Sequence, residues 1–223
     1  MKVTYIHHSG FLVESDRCYY LFDYETGTLP PLDTEKPILV LSSHGHEDHY
    51  NPKVFSLLAG MSQIRAVLSD DISPPDGIDT LMVAPNREYI LGEQQKLTTF
   101  RSTDLGVAFL IEDGQELIYH AGDLNDWVWD EEPADWNQEM TAAYRKEIGL
   151  LAKTLGNRQI DTAFVVLDPR QEADYDRGMC HFLQHVAARQ VYPMHYWDDP
   201  GIIQTFLKGH PEYRHQIQIT ETK

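Results

Sequence analysis

Apolar and polar positions along this chain change in short runs. The first three, VTYIH (3–7), FLVES (11–15) and YYLFDY (19–24), read as strands. GTLPPLDTEKP follows, and its Gly and Pro content marks a loop. ILVLSS (38–43) is continuously apolar and rich in branched side chains, the pattern of a strand buried on both faces. Asn51-Pro52 opens a helix to about Gly60, because Asn caps a helix and Pro fits its first turn. Further strands are expected at 64–69, 80–84, 87–91, 95–101, 107–112 and 116–120. The spacing then becomes helical over 137–155 and ends at Gly156, a residue suited to a helix C-terminus. A buried strand (161–168), a helix (175–189), a strand (191–194), a helix (201–209) and a last strand (216–220) complete the pattern. Many strands with helices between them predict an α/β (α+β) architecture of two packed sheets with helices outside. With no linker, repeat or low-complexity stretch, a single domain over residues 1–223 is expected.

One segment changes this picture from architecture to chemistry. SSHGHEDHY, Ser42 to Tyr50, comes directly after the buried run ILVL. It sets His44, His46, Asp48 and His49 within six positions, just past a strand end, where loops present side chains to a site. Imidazole and carboxylate together suit zinc, iron, manganese or nickel. His44 and His46 alternate and point the same way, while Asp48 and His49 stand one step further and are placed to serve a second ion. A solvated loop ahead of a helix is the plain alternative, but histidines at this density are scarce outside metal sites.

Composition narrows the function. Thirty-five acidic against 18 basic residues give a formal net charge of −17, which repels phosphate backbones and disfavours nucleic acid as a partner. No apolar run approaches the ~18 residues that span a bilayer, and the N-terminus lacks a signal-peptide core, so no membrane partner and a cytoplasmic location are expected. Two cysteines, Cys18 and Cys180, are too few for a disulfide framework.

The run His-x-His-x-Asp-His after a hydrophobic strand resembles the signature of the metallo-β-lactamase superfamily. YIHHSGFLVE…YYLFDY resembles the opening of its ascorbate-6-phosphate-lactonase-like branch. LIYHAGDLND (117–126) is similar to the segment whose aspartate bridges two metals, and VYPMHYWD (191–198) to the strand that ends in the last histidine ligand. The resemblance implies a four-layer αββα sandwich with one or two divalent ions, zinc foremost and manganese, iron or nickel as alternatives. It implies that His44 and His46 hold the first ion, that Asp48, His49 and His195 hold the second, and that Asp123 bridges them. It also implies a histidine near the metals in the first turn, for which His8 is a better candidate than His7.

One departure from the family stands out. The histidine that usually completes the first metal's set falls in TTFRSTDLGVAFLIE (98–112), which contains none. Asp104 is the best local replacement, since carboxylates ligate the same metals, though Asp also serves ordinary turns. His120, just before the Ala-Gly-Asp turn, is a candidate proton donor or a support for a metal ligand, and Asp48 and Asp123 are the other candidate catalytic groups. Trp127 and Trp129 could wall a substrate cleft or pack in the core. Arg170 could grip a substrate carboxylate or phosphate, or form a surface salt bridge. His181 and His185 read as structural or solvated, and His210 and His215 as exposed.

The leading expectation is a small-molecule metallo-hydrolase, in which a metal-bound hydroxide attacks an ester, lactone or phosphodiester. A nuclease or phosphodiesterase of the same fold and a metal-binding protein without catalysis are the alternatives; a homo-oligomer stays open.

Overall fold

The computed structural model describes residues 1–219. The chain divides into two compact units, Met1–Ala84 and Pro85 onward, each built on one six-stranded mixed sheet. In the first unit β1 (Lys2–His7), β2 (Gly10–Glu14), β3 (Tyr19–Phe22), β4 (Ile38–Ser42), β5 (Ile64–Ser69) and β6 (Asp79–Val83) lie side by side in chain order. β1 to β3 pair antiparallel and β3 to β6 parallel. β3 and β4 are buried at every position, as continuous apolar runs require in a parallel sheet. Leu12, Tyr19, Leu21, Ile38, Val40, Val54 and Leu58 form a core on one face of this sheet.

The second unit holds β7 (Glu88–Gly92), β8 (Gln95–Arg101), β9 (Val107–Asp113), β10 (Glu116–His120), β11 (Ile160–Val166) and β12 (Ala188–Met194), again neighbours in chain order. β7 to β10 pair antiparallel; β10 to β12 pair parallel. The helix α2 (Ala134–Leu155) buries Tyr144, Ile148, Leu151 and Leu155. Their three- and four-residue spacing gives it one apolar face.

Most expected elements are present, and the differences have local causes. The first helix, α1 (Lys53–Leu57), is five residues long rather than running to Gly60. Asn51 does cap it, accepting from the Lys53 N–H at 3.1 Å. The helix expected over 175–189 ends early, as α3 (Arg177–His185), because Ala188 to Gln190 pair with β11. Helical spacing cannot foresee a ladder to a strand far along the chain. The last helix, α4 (Gly201–Gly209), agrees with expectation. Of the strand expected at 216–220, the described part makes one isolated parallel bridge, Ile217 to Val191; residue 220 lies outside the described residues.

In each unit the topology gathers chemistry at one sheet edge. The parallel strands β3 and β4 end in Asp23 and the run 43–49, and the turn between β1 and β2 brings His8 to the same edge, since Phe11 pairs with Phe22. In the second unit β10, β11 and β12 end in Asp123, Asp168 and His195, and the β8–β9 turn carries Asp104 to that edge, since Phe109 pairs with His120. Carboxyl ends of parallel strands are where α/β sheets place ligand sites.

Candidate metal centre

In the first unit the histidine run hangs from a buried carboxylate. Asp23, fully buried with φ +40°, accepts from the Ser43 backbone N–H (2.7 Å), the Ser43 hydroxyl (2.7 Å) and His49 Nδ1 (2.8 Å). The Ser43 hydroxyl, its proton spent on Asp23, receives His44 Nδ1 at 3.0 Å. One carboxylate therefore sets the ring orientation of two histidines, turning the Nε2 atom of each away from it. His44 Nε2 meets His46 Nδ1 at 2.9 Å. His8 Nε2 and His49 Nε2 lie 3.5 and 3.7 Å from Asp48 Oδ2. From the far side Asp71 accepts the Gly45 N–H at 2.7 Å and pins the loop. His8 is 1% exposed, with φ +50°, whereas His7 is turned outward onto Glu25. Positive φ at a non-glycine residue is strain, and strain of this kind concentrates at functional sites.

The second unit repeats this construction. His195, φ +63° and 2% exposed, directs Nδ1 at Asp168 Oδ2 (3.0 Å) and Nε2 toward Asp123 Oδ1 (3.4 Å). Asp168 also accepts from the Arg170 backbone N–H and guanidinium. Burial works against the Asp168 charge, yet these hydrogen bonds from His195 and Arg170 hold its carboxyl down to about 2. Asp123 stands after the β10 strand in a turn where Gly122 has φ +52°.

The residue proposed for the missing histidine lies close by. Thr103 Oγ1 donates to the carbonyls of Asn125 (2.6 Å) and Asp123 (3.3 Å) and accepts the Asn125 N–H (2.9 Å). These bonds stitch the β8–β9 turn to the Asp123 turn, and Asp104 and Asp123 offer carboxylate oxygens within 4.8 Å of each other. Two carboxylates so close repel one another and favour a cation between them.

The remaining candidates fall into supporting positions. His120 is fully buried, and its Nδ1 accepts the Gly122 N–H at 3.1 Å, shaping the turn that carries Asp123. Trp127 is 6% exposed; its indole N–H donates to the Asp123 carbonyl at 2.9 Å, and its ring packs edge-on to His195. Trp129 stacks on Trp127. The Arg170 guanidinium lies 4.6 Å from the ring of Trp197 and 5.8 Å from that of Trp129, so two indole rings hold it as well as Asp168. Sequence reading missed Asp23, Asp168, Asp71 and Trp197. A trace of the first two exists: YYLFDY and FVVLD each end a buried run in an aspartate that no solvated loop requires. His185, read as structural or solvated, is exposed and bonds the His181 carbonyl. The exposed reading of His210 is corrected: it is partly buried and bonded to Asp176 at 2.7 Å.

Three solved structures show the likeness of fold. Igni18, a metallo hydrolase from the hyperthermophilic archaeon Ignicoccus hospitalis, is 15% identical with a TM-score of 0.65, over 98% of this chain and 94% of its own. CmlA, a diiron β-hydroxylase from Streptomyces venezuelae, is 13% identical with a TM-score of 0.62, over 96% of this chain and 52% of its own, so this chain spans about half of that protein. Zn(2+)-bound PqqB from Methylobacterium extorquens is 13% identical with a TM-score of 0.58, over 96% of this chain and 85% of its own. No curated protein matches the chain by sequence. A model described as the beta-lactamase superfamily domain matches residues 2–137, more than half of the 223 residues. With mixed α/β sheets that carry histidines and aspartates at the carboxyl ends of their parallel strands, the chain belongs to the beta-lactamase superfamily.

Proposed function

We propose that the protein is a metal-dependent hydrolase acting on an ester, lactone or phosphodiester bond of a small molecule. The observation that carries this reading is the pair of carboxylate-backed histidines, Asp23–His49 in the first unit and Asp168–His195 in the second. A buried carboxylate on Nδ1 fixes the tautomer and raises the basicity of Nε2, which is how proteins prepare imidazole for a metal. The donor set in each unit suits a divalent ion: His44, His46, Asp48 and His49 in the first, and Asp104, Asp123 and His195 in the second. Such ions supply Lewis acidity and bring the pKa of a bound water to about 7. His8, directed at Asp48, steadies that carboxylate and lines the site. Trp127 and His120 hold the turn of Asp123 in place. Trp129, Trp197 and Arg170 form a half-open wall beside His195, suited to an apolar or π-rich leaving group.

Imidazole-rich sites favour zinc, and a carboxylate in place of the third histidine shifts the first ion toward manganese or iron. The lactone option rests on the resemblance of the N-terminal stretch to the ascorbate-6-phosphate-lactonase-like branch. Elemental analysis of the wild type and of a His46→Ala, His49→Ala double variant tests the reading, with lactone, ester and phosphodiester hydrolysis measured in parallel. The double variant should lose metal and turnover together. Full metal content in that variant, or turnover unchanged after chelation of the wild type, overturns the reading.

A further inference from the structure

A second cluster of metal-binding side chains stands in the second unit and shares no residue with the centre above. Asp176 precedes the helix α3 and Cys180 lies four residues further, so one helix face carries both. His210 caps the end of α4, its ring 4.8 Å from that of buried Phe206 and flanked by Tyr213. His210 Nε2 lies 2.7 Å from Asp176 Oδ2 and 3.5 Å from Cys180 Sγ. The donor atoms of all three residues fall within 4.8 Å of one another. Glu212 brings a further carboxylate oxygen to 3.9 Å from His210 Nδ1.

We propose that Asp176, Cys180 and His210 form a separate binding site for a zinc-class transition-metal ion, with Glu212 or water as fourth donor. The donor types decide the class. Sulfur and imidazole nitrogen select zinc, cobalt or cadmium over magnesium, calcium or manganese. The geometry agrees: metal bonds of about 2.3 Å to sulfur and 2.0 Å to nitrogen give a tetrahedral edge of roughly 3.5 Å, the separation found between Cys180 and His210. The carboxylate and imidazole would part by roughly 0.5 Å to admit an ion at these bond lengths, a shift within reach of partly buried side chains. Electrostatics point the same way. The carboxylates of Asp176 and Glu212 stand beside this sulfur and imidazole, and their charge draws a cation. Binding to the sulfur releases the thiol proton, as for any thiolate ligand. Nothing in the hydrolytic reading uses this cluster, so the ion here would be structural, joining the start of α3 to the end of α4.

Cobalt reports the site selectively, because only a thiolate ligand gives a sulfur-to-cobalt charge-transfer band in the near ultraviolet, and the centre described above contains no cysteine. The full chain, stripped of metal, is titrated with cobalt(II) as wild type, Cys180→Ser and Cys18→Ala. The band should appear in the wild type and in Cys18→Ala, and be lost in Cys180→Ser together with about one metal equivalent. Hydrolysis should be unchanged in Cys180→Ser, which separates this proposal from the reading of the main centre. If Cys180→Ser fails to fold, His210→Ala and Asp176→Asn should each weaken the band at least tenfold in apparent affinity. A wild-type titration without the band, or a band that survives these substitutions, overturns the proposal.

Discussion

At the scale of single residues, the centre depends on carboxylates that need not touch a metal. Asp23 reaches His49 directly and His44 through Ser43, so its charge fixes two histidines at once. Asp23→Asn replaces one acceptor with a donor and leaves either Ser43 or His49 facing an N–H. Metal affinity should fall by roughly 10–100-fold, the usual cost of losing a partner behind a histidine ligand. Calorimetric titration checks this, with far-ultraviolet circular dichroism to show that the fold persists; a well-folded variant with unaltered affinity contradicts the role given to Asp23. The density of histidines in SSHGHEDHY was visible in the sequence because ligands adjacent in the chain leave a compact signature. Asp23 and Asp168 were not recognised because their partners are 26 and 27 positions away, and an aspartate after a strand looks like any turn aspartate. The same limit misplaced His210, whose partners Asp176 and Cys180 are 34 and 30 positions distant.

At the scale of elements, strand direction does the positioning. In each unit parallel strands bring their carboxyl ends to one edge of that unit's sheet, and the turn β1–β2 in the first unit and β8–β9 in the second reach it because each precedes a strand running opposite to its neighbour. The β8–β9 turn is held by Thr103, whose three hydrogen bonds bring Asp104 beside Asp123. Thr103→Val keeps the shape and removes the bonds. It should cost roughly 1–3 kcal/mol through carbonyl and N–H groups left unsatisfied. It should also weaken the same ion that Asp104→Ala weakens, whereas Thr103→Ser should retain it. A metal titration by calorimetry on the three variants decides the matter: two ions bound as tightly in Asp104→Ala as in the wild type would make Asp104 a turn residue. A methyl group on Gly178, at the start of α3, would stand 1.8 Å from the Asn125 side-chain oxygen, so any larger residue there displaces the amide that bonds Gln171.

At the scale of the whole molecule, charge governs which substrates approach. A net charge of −17 opposes polyanions, while bound divalent ions reverse the field locally. Duplex DNA and structured RNA should therefore show no affinity tighter than micromolar at physiological salt in an anisotropy titration. A salt-sensitive, submicromolar complex would favour the nuclease alternative. Among the described residues no helix is long and apolar enough to cross a membrane.

The sequence by itself determined the strand-rich α/β pattern, the helix α2, the histidine-rich run at 44–49 and, through four ordered motifs, the family. Each of these is written in neighbouring residues, as apolar period or as motif spacing, and needs no distant contact to be read. The tertiary structure alone decided which carboxylate stands behind which histidine, that Thr103 carries Asp104 to Asp123, that α3 gives way to β12 at Ala188, and that Asp176, Cys180 and His210 meet. Those outcomes come from sheet register and helix packing, which join positions tens of residues apart. No local window of sequence contains the two partners whose pairing sets them.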